Sequence, residues 1–255
     1  MRIVIAGGTG RLGARIVESL ADHGHEVVVA SPSRGVDALS GRGLEDALAG
    51  AQVLVNAVNL PRRTPYREAF AFFDTTTRNL LTAAGRAGVE HHVLLSIVGA
   101  DRVNSPYFRG KEVQEQLVRA RGVPYTIVRS TTYLEALRAS LVSAPESAAV
   151  HVPDIRVQPV AGADLARIMA HSVAADPQGG IVQVAGPEVM SFPRLATEFL
   201  RATGDMRRVV PDTGAEYLGT TFGPGEATLV PDLRVGATTL QQWLVTAAAY
   251  AARGA

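Results

Sequence analysis

The feature that most constrains this chain is a glycine-rich segment that directly follows its first apolar run. Ile3 to Ala6 has the composition of a short buried strand, and Gly7 to Gly13 continues it with the spacing G-x-x-G-x-x-G. Leu12, Ile16 and Leu20 then recur at helical spacing, so the glycines lie in a turn from a strand into a helix. Such a turn lets the backbone approach a pyrophosphate, which the N–H groups and the dipole of the helix attract. We therefore expect a dinucleotide to contact Gly7, Thr9, Gly10, Arg11, Leu12 and Gly13.

Short apolar runs alternate with longer helical patterns over the first half of the chain. The runs lack polar alternation, which is typical of parallel strands covered on both faces. This order predicts an α/β fold with a Rossmann-type, doubly wound parallel sheet. The predicted strands are Ile3–Ala6, Glu26–Ala30, Val53–Val55, Val93–Leu95, Tyr125–Val128 and Ile181–Val184. The predicted helices are Leu12–His23, Tyr66–Arg86, Lys111–Arg121, Ala163–Ala175, a helix capped by Ser191 that runs to about Ala202, and Thr238–Ala252.

The domain organisation follows from the absence of a clear linker. We expect a single NAD(P)-binding Rossmann-like fold over residues 1–255. Residues from 1 to about 131 are expected to bind mainly the cofactor. Residues from about 132 to 160 and from about 186 to 240 are expected to form a small C-terminal substrate-binding cap. Residues 144–159 and 211–231 are rich in proline or glycine and are predicted to be irregular.

The composition excludes several classes of protein. Lys plus Arg is 25 and Asp plus Glu is 24, so there is no basic excess for binding nucleic acid or an anionic membrane. The chain has no cysteine, which excludes disulfide scaffolds and thiolate metal sites. No apolar run approaches the ~18 residues that a membrane span needs. We expect a cytoplasmic protein that acts on a small molecule, binds neither nucleic acid nor a membrane, and holds no metal.

The end of the second predicted strand distinguishes between the two nicotinamide dinucleotides. Proteins that bind NAD place an acidic residue there, which bonds the ribose 2′-OH. Here Ala30 is followed by Ser31, Ser33 and Arg34, whose hydroxyl and guanidinium groups suit a 2′-phosphate. Arg11 in the glycine turn is a second candidate for the same phosphate. The sequence therefore favours NADPH/NADP+ over NADH.

The sequence resembles a known family at several separate motifs. The glycine turn, Leu94 to Asp101, Tyr107 to Lys111, Val123 to Arg129 and Ala185 to Glu188 are similar to the atypical short-chain dehydrogenase/reductases. Within that superfamily the chain most resembles the NmrA-like NAD(P)H-binding branch. The resemblance extends over nearly the whole chain.

The resemblance implies further contacts with the cofactor. Asp37, on a very short third strand, is expected to face the adenine. Ala57, Val58 and Asn59 are expected to line the adenosine and its ribose. The segment from residue 129 to 132, which includes Thr131, is expected to form a wall near the nicotinamide.

A Tyr-x-x-x-Lys pair supplies the candidate chemistry. Tyr107 and Lys111 share one face of a predicted helix. A phenol ionises near pH 10, and an adjacent ammonium favours the phenolate, so the pair suits proton transfer at neutral pH. Tyr107 is expected to protonate a carbonyl oxygen as hydride arrives, and Lys111 to assist it and to bond the nicotinamide ribose. Ser96, which ends a predicted strand, is expected to hold the substrate oxygen and to contact the cofactor.

The C-terminal half of the chain offers apolar candidates for substrate binding. Tyr133, Leu134 and Leu137, with Phe222, can form a pocket wall, and ordinary core packing is the alternative. The predicted function is an NADPH-dependent oxidoreductase that reduces a small apolar carbonyl or quinone-type compound. The alternatives are a non-catalytic dinucleotide-binding redox sensor of the NmrA-like kind and an NADP-using isomerase or epimerase. The chain is expected to be a monomer or a homodimer.

Overall fold

The β-branched and apolar runs form the strands of the structure, a computed structural model that describes residues 1–61, 64–142, 149–223 and 234–253. The strands are β1 (Arg2–Ala6), β2 (Glu26–Ala30), β3 (Val53–Asn56), β4 (His91–Ile97), β5 (Tyr125–Ser130), β6 (Ala149–Val152), β7 (Arg156–Val157), β8 (Gly180–Ala185), β9 (Met190–Ser191), β10 (Arg208–Pro211) and β11 (Arg234–Val235). The helices are α1 (Arg11–Asp22), α2 (Leu44–Leu48), α3 (Ala69–Ala87), α4 (Pro106–Ala120), α5 (Leu134–Val142), α6 (Gly162–Ala174), α7 (Phe192–Ala202) and α8 (Leu240–Arg253), and two short 3-10 helices cover Pro32–Arg34 and Tyr66–Glu68.

The chain divides into two compact units. The first unit comprises Met1–Arg129 and Leu165–Gln183. The second comprises Ser130–Asp164 and Val184–Ala255. Strands β5 and β8 each begin in the first unit and end in the second. The sequence predicted one continuous fold with a cap, and the assignment of substrate binding to the cap stays a prediction.

The first unit contains a doubly wound parallel sheet, as the sequence predicted. Its strand order is β8-β5-β4-β3-β1-β2, and β1 pairs in parallel with both β2 and β3. Ile3, Val4 and Ile5 are at most 1% exposed, so both faces of β1 are covered. The order of strands reverses between β1 and β3. In open α/β sheets a ligand binds outside the carboxyl ends of the strands at such a switch point.

Helix α4 starts earlier than the predicted helix of Lys111 to Arg121. Pro106 is its first residue, because proline fits the first turn of a helix, where no backbone N–H is needed. The side chain of Ser105 caps this end and accepts a hydrogen bond from the N–H of Phe108 at 3.4 Å. Tyr107 therefore lies in the first turn of α4.

The second unit is built around an apolar core of its own. Strand β6 pairs in parallel with β10, β7 pairs antiparallel with β9, and β11 pairs with Val184 and Ala185 of β8. The prediction that residues 144–159 are irregular is wrong for β6 and β7, whose four and two residues are too short to show a period. Trp243 packs on Phe199 within this core, with ring centroids 5.4 Å apart. Among the described residues no helix is long and apolar enough to cross a membrane.

Candidate cofactor site and active site

The glycine turn is a close-packed backbone cradle at the switch point of the sheet. Gly7 has φ +82°, which L side chains rarely adopt, and a Cβ there would lie 2.7 Å from the carbonyl oxygen of Ala57. A Cβ on Gly13 would overlap the carbonyl oxygen of Gly7. The N–H of Ala57 donates to Ala6 O at 2.9 Å, which joins the ends of β1 and β3. The turn, the end of β3 and the start of α1 are therefore in contact through backbone alone.

The start of helix α1 carries no competing anion. Gly10 is the N-cap residue and makes no side-chain capping bond, and the first turn holds no acidic residue. Thr9 and Arg11 are exposed and Leu12 is buried. The partial positive charge of a helix start attracts phosphate when no carboxylate neutralises it. This cradle therefore fits the pyrophosphate of a dinucleotide.

The end of β2 presents the predicted phosphate-binding residues beside the cradle. The N–H of Gly7 donates to Ala30 O at 2.9 Å, so the residues after Ala30 lie next to the glycine turn. Ser31 is 3% exposed, and its hydroxyl lies 3.0 Å from the hydroxyl of Ser33. Arg34 is exposed, at the end of a 3-10 helix. A guanidinium in this position is free to move toward a 2′-phosphate.

Asp37 differs from its prediction. It lies in no strand, and its carboxylate accepts hydrogen bonds from the N–H of Leu39 and the hydroxyl of Ser40, both at 2.9 Å. Burial opposes ionisation of Asp37, but these hydrogen bonds outweigh it and hold the pKa of the carboxyl below its ordinary value. The predicted short third strand is wrong because Asp37 instead closes a turn with its own side chain. Its contact with adenine stays a prediction.

The segment after β3 joins the cradle to the first turn of α4. Asn56 is 0% exposed, and its Oδ1 accepts a hydrogen bond from the N–H of Val58 at 3.2 Å. Its Nδ2 has no hydrogen-bond partner among the described residues. Asn59 accepts a hydrogen bond at Oδ1 from the hydroxyl of Tyr107 at 3.0 Å. Its contact with the adenosine and its ribose stays a prediction.

Tyr107 is enclosed by aromatic rings. It is 7% exposed, and its ring makes edge contacts with Tyr66, Phe73 and Phe108 at centroid distances of 5.7, 5.7 and 6.0 Å. Tyr66 is itself 40% exposed. These contacts fix the ring of Tyr107, since aromatic side chains favour edge-to-face packing.

Lys111 lies one turn further along α4 and is 4% exposed. Its Nζ donates to Gln114 Oε1 at 3.0 Å, to Leu95 O at 3.3 Å and to Val58 O at 3.5 Å. The same Nζ lies 4.4 Å from the centroid of the Phe73 ring. The ammonium thus meets neutral acceptors and a π-face, and its acceptors include the backbone at the carboxyl ends of β3 and β4.

Burial changes the acid–base behaviour of Lys111. It lowers the pKa of the ammonium to about 7, although the carboxylate of Glu115 acts in the opposite sense. The side chain can therefore gain or lose a proton near neutral pH, which an exposed lysine cannot do.

Ser96 lies in a buried ionic network. Its hydroxyl donates to Glu115 at 2.6 Å, and Arg129 donates to both carboxylate oxygens of Glu115 at 2.7 Å. Arg119 and Asp101 complete the network, with Arg119 at 2.9 Å from Glu115 and Asp101 at 2.9 Å from Arg129. To hold a substrate oxygen, as predicted, the Ser96 hydroxyl would have to leave Glu115.

The predicted residues of the second unit have mixed surroundings. Leu134 and Leu137 are 1% and 2% exposed and belong to the apolar core, which was the alternative to a pocket wall. Tyr133 is half-buried and forms a β-bridge with Val160. Phe222 is partly buried and packs against the same core. Substrate contact through any of these residues stays a prediction.

The hydroxyl of Thr131 already makes a hydrogen bond within the second unit. Its hydroxyl donates to the carbonyl oxygen of Gln158 at 2.6 Å, and the residue is 3% exposed. A bond from this hydroxyl to the cofactor stays a prediction that requires this hydrogen bond to be exchanged.

One strong signal in the sequence points to Lys111. The 25 basic residues are 24 arginines and a single lysine, and that lysine is Lys111. Because arginine does not lose its proton in proteins, Lys111 is the one of these 25 lysine and arginine positions where a proton can be exchanged. Gln114 and Tyr66, which contact Lys111 and Tyr107, have no comparable signal, because a buried Gln and a half-exposed Tyr are ordinary in helical sequences. Among the described residues no group of three or more His, Asp or Glu can hold a metal ion.

Fold and site together define a Rossmann-type dinucleotide-binding protein. A family model described as NAD(P)H-binding matches residues 7–176. The chain is 31% identical to a (4-alkanoyl-5-oxo-2,5-dihydrofuran-3-yl)methyl phosphate reductase of Streptomyces griseus, over 79% of this chain and 74% of that protein. It is 26% identical to quinone oxidoreductase 2 of Escherichia coli, over 92% and 88% of the two chains. The fold is also similar to a solved structure of the NADPH-dependent quinone oxidoreductase from Escherichia coli in complex with NADPH, with a TM-score of 0.65 and 22% identity. This match covers 83% of this chain and 78% of that chain.

The chain belongs to the NAD(P)H-binding family, and its resemblance to the atypical, NmrA-like short-chain dehydrogenase/reductases is confirmed. Its cofactor is therefore a nicotinamide dinucleotide. Gly7, Gly10, Gly13 and the start of α1 fit the pyrophosphate, and the residues after β2 and β3 lie beside them. When bound, NAD(P)H supplies a hydride.

Proposed function

We propose that this protein is an NADPH-dependent reductase of small carbonyl or quinone-type compounds. The observation that carries the proposal is the pairing of Tyr107 and Lys111 in the first two turns of α4, next to the carboxyl ends of β3 and β4. The carboxyl end of a parallel sheet is where ligands of such folds bind. The names of the two curated relatives, both reductases or oxidoreductases, support the same reaction class.

Tyr107 acts as the proton donor in this proposal. Its hydroxyl is the polar end of a ring held by three aromatic neighbours, and Asn59 Oδ1 accepts a hydrogen bond from it. When a carbonyl group is reduced, its carbon gains a hydride and its oxygen gains the proton of Tyr107, which gives an alcohol. Lys111 stabilises the phenolate that remains, and solvent returns the proton.

The residues after β2 favour the phosphorylated cofactor. Ser31 stands where NAD-binding proteins of this fold carry an acid, and two exposed cations lie nearby in sequence, Arg34 shortly after β2 and Arg11 at the start of α1. A carboxylate there would repel a 2′-phosphate, whereas hydroxyl and guanidinium groups bond to it. NADPH is therefore the proposed reductant, and NADH the weaker one.

The test is turnover of NADPH with a panel of acceptors. Purified protein is mixed with NADPH and, separately, with menadione, with straight-chain aldehydes and with alkyl-substituted cyclic ketones, and loss of NADPH absorbance is followed. The proposal expects at least one acceptor to be reduced, and expects Tyr107→Phe to lower turnover of a carbonyl acceptor by roughly 10²–10⁴-fold. The matched control is the same change at another tyrosine, Tyr125→Phe, at the start of β5.

Other outcomes separate the alternatives. Tight binding of NADPH without its oxidation by any acceptor would contradict the proposal and favour a redox sensor. Conversion of a substrate without net change in NADP+ or NADPH would favour an isomerase or epimerase. Full activity of Tyr107→Phe on carbonyl acceptors would remove Tyr107 from the reaction.

A further inference from the structure

A chain of hydrogen bonds joins Lys111 on helix α4 to helix α3. Lys111 Nζ donates to Gln114 Oε1 at 3.0 Å, and Gln114 Nε2 donates to Thr77 Oγ1 at 2.9 Å. Gln114 and Thr77 are both 0% exposed. A buried polar group that loses its partner has no water to replace it, so each member of the chain depends on the next.

The orientation of the Gln114 amide follows from its two neighbours. An ammonium has donors only, so Gln114 must turn its oxygen toward Lys111. Its amide nitrogen then needs an acceptor on the other side, and the hydroxyl of Thr77 provides it. Thr77 therefore acts on Lys111 through Gln114.

Within the described part of the chain, the groups that contact Lys111 from neighbouring elements are neutral. Helix α3 contributes the Phe73 ring and Thr77, β4 contributes the Leu95 carbonyl, and the segment after β3 contributes the Val58 carbonyl. The charged group that acts on Lys111 is Glu115 on its own helix, and this carboxylate is bonded to arginines. A paired carboxylate would favour the charged form of the amine. A neutral amide holds the ammonium in place without favouring its charged form as strongly.

We propose that Gln114, oriented by Thr77, is the positioning residue that holds the Lys111 amine in the active site and sets how readily it exchanges its proton. The inference rests on the proposed function, in which Lys111 assists Tyr107. It assigns a role to two residues that lie outside the Tyr-x-x-x-Lys pair. Since Lys111 also titrates near neutral pH, with burial lowering its pKa to about 7, a change at Gln114 must move that titration.

The single lysine makes the test direct. Protein grown with lysine labelled by a stable isotope at the ε-carbon gives one side-chain NMR signal, which belongs to Lys111. Titration of the wild-type signal is expected to show a midpoint at about 7. Gln114→Leu should lower the midpoint by about one pH unit, because a hydrogen bond to a charged group is lost. Gln114→Glu should raise it by roughly one to three units, because a carboxylate then faces the ammonium.

Two further variants complete the test. Thr77→Val keeps the shape of the side chain but removes the acceptor, and should move the midpoint in the same direction as Gln114→Leu by less. Gln116→Leu is the matched control, since Gln116 is an exposed glutamine of the same helix, and it should leave the midpoint unchanged. Circular dichroism verifies that each variant is folded. An unchanged midpoint in both Gln114 variants, or equal shifts in Gln116→Leu, would overturn the proposal.

Addition of NADPH to the same labelled protein tests the proposed function separately. A change in the Lys111 signal on saturation with NADPH is expected if Lys111 contacts the cofactor. If NADPH leaves the signal unchanged while the Gln114 variants still shift the midpoint, the positioning role stands and the catalytic role of Lys111 fails.

Discussion

Two buried ionisable residues, Lys111 and Glu115, lie one turn apart on helix α4, and one has neutral partners whereas the other has charged partners. Glu115 is bonded to Arg129 through both oxygens, to Arg119 and to the hydroxyl of Ser96. Lys111 is held by an amide, by backbone carbonyls and by an aromatic face. Their burial is almost equal, at 1% and 4% exposed.

The difference separates a structural charge from a functional one. A carboxylate bonded to guanidinium groups is the partner of buried cations, and removing it would leave those cations without that partner. An amine among neutral acceptors has no such constraint, and its charge responds to pH and to a bound ligand. Glu115 is therefore expected to stabilise the fold, and Lys111 to serve the reaction.

The largest expected effect follows from removing Lys111. Lys111→Met should lower turnover by roughly 10²–10⁴-fold, because the proton donor loses its charged neighbour. The same change should raise the free energy of unfolding at pH 7, because a buried cation is replaced by an apolar side chain of similar length. Steady-state kinetics and urea denaturation measure the two effects on one variant.

The pH dependence of this stability gain has a definite sign. The pKa of Lys111 is lower in the folded chain than in the unfolded chain, so between about 7 and 10.5 the unfolded state binds the extra proton. The stability of the wild type should therefore rise toward that of Lys111→Met as the pH increases over this range. A constant difference between the two proteins would contradict the low pKa of Lys111.

Replacing Glu115, the other buried ionisable residue of α4, should lower the free energy of unfolding instead of raising it. Glu115→Gln should lower the free energy of unfolding by about 3 kcal/mol, because Arg129 is left buried with fewer partners. Glu112→Gln is the matched control on the same helix and should change it by less than about 0.5 kcal/mol, since Glu112 accepts an exposed hydrogen bond from Gln116. Equal effects of the two substitutions would mean that the buried network contributes little to stability.

A third buried ionisable group, His92, extends the comparison, because its ring nitrogens have no hydrogen-bond partner in the part of the chain that the structure describes. His92 of β4 is 0% exposed, both ring nitrogens lack hydrogen-bond partners among the described residues, and burial lowers its pKa to about 3. Below pH 6.5 the unfolded chain binds a proton that folded His92 does not, so stability falls as the pH falls. The loss attributable to His92 is about 2 kcal/mol at pH 5, and His92→Leu should remove it.

Denaturation at pH 7.5 and 5 of the wild type and His92→Leu measures this effect. His91 also has a pKa lowered by burial, so the variant keeps a smaller pH dependence. An equal loss of stability between pH 7.5 and 5 in the wild type and in His92→Leu would contradict this assignment.

The smallest expected effect concerns an exposed charge outside the helix. Arg34→Ala should weaken NADPH binding by roughly tenfold and leave NADH binding unchanged, since one charge-assisted hydrogen bond is lost. Arg121→Ala is the control, because Arg121 is an exposed arginine that ends α4, away from the cradle. Calorimetric titration with both dinucleotides measures the affinities, and an equal loss for NADH would mean that Arg34 does not recognise the 2′-phosphate.

The sequence predicted those parts of the fold that are determined by backbone conformation. The glycine turn and the doubly wound sheet follow from local rules of glycine spacing and apolar runs, whereas α4 starts at Pro106, earlier than the predicted helix of Lys111 to Arg121. The spacing of Tyr107 and Lys111 also predicted that they lie one turn apart on one helix, as they do on α4, and their catalytic roles stay a prediction.

The side-chain partners were not predictable in the same way. Ser96 and Asp37 have the right types for ligand contacts, yet their bonds go to Glu115 and to a local turn. Asn59 meets Tyr107 across 48 positions of sequence, and Gln114 meets Thr77 across 37. Such pairs form only when helices and strands pack together, so no local sequence pattern predicts them.

Single-turnover reduction tests the central claim most directly. Protein saturated with NADPH is mixed rapidly with the best acceptor of the panel, and oxidation of the bound cofactor is followed in the wild type and in Tyr107→Phe. The wild type is expected to oxidise one equivalent of NADPH, and the rate with a carbonyl acceptor is expected to fall by roughly 10²-fold or more in the variant. Equal rates in the two proteins, or no oxidation of bound NADPH by the wild type, would contradict the proposed function.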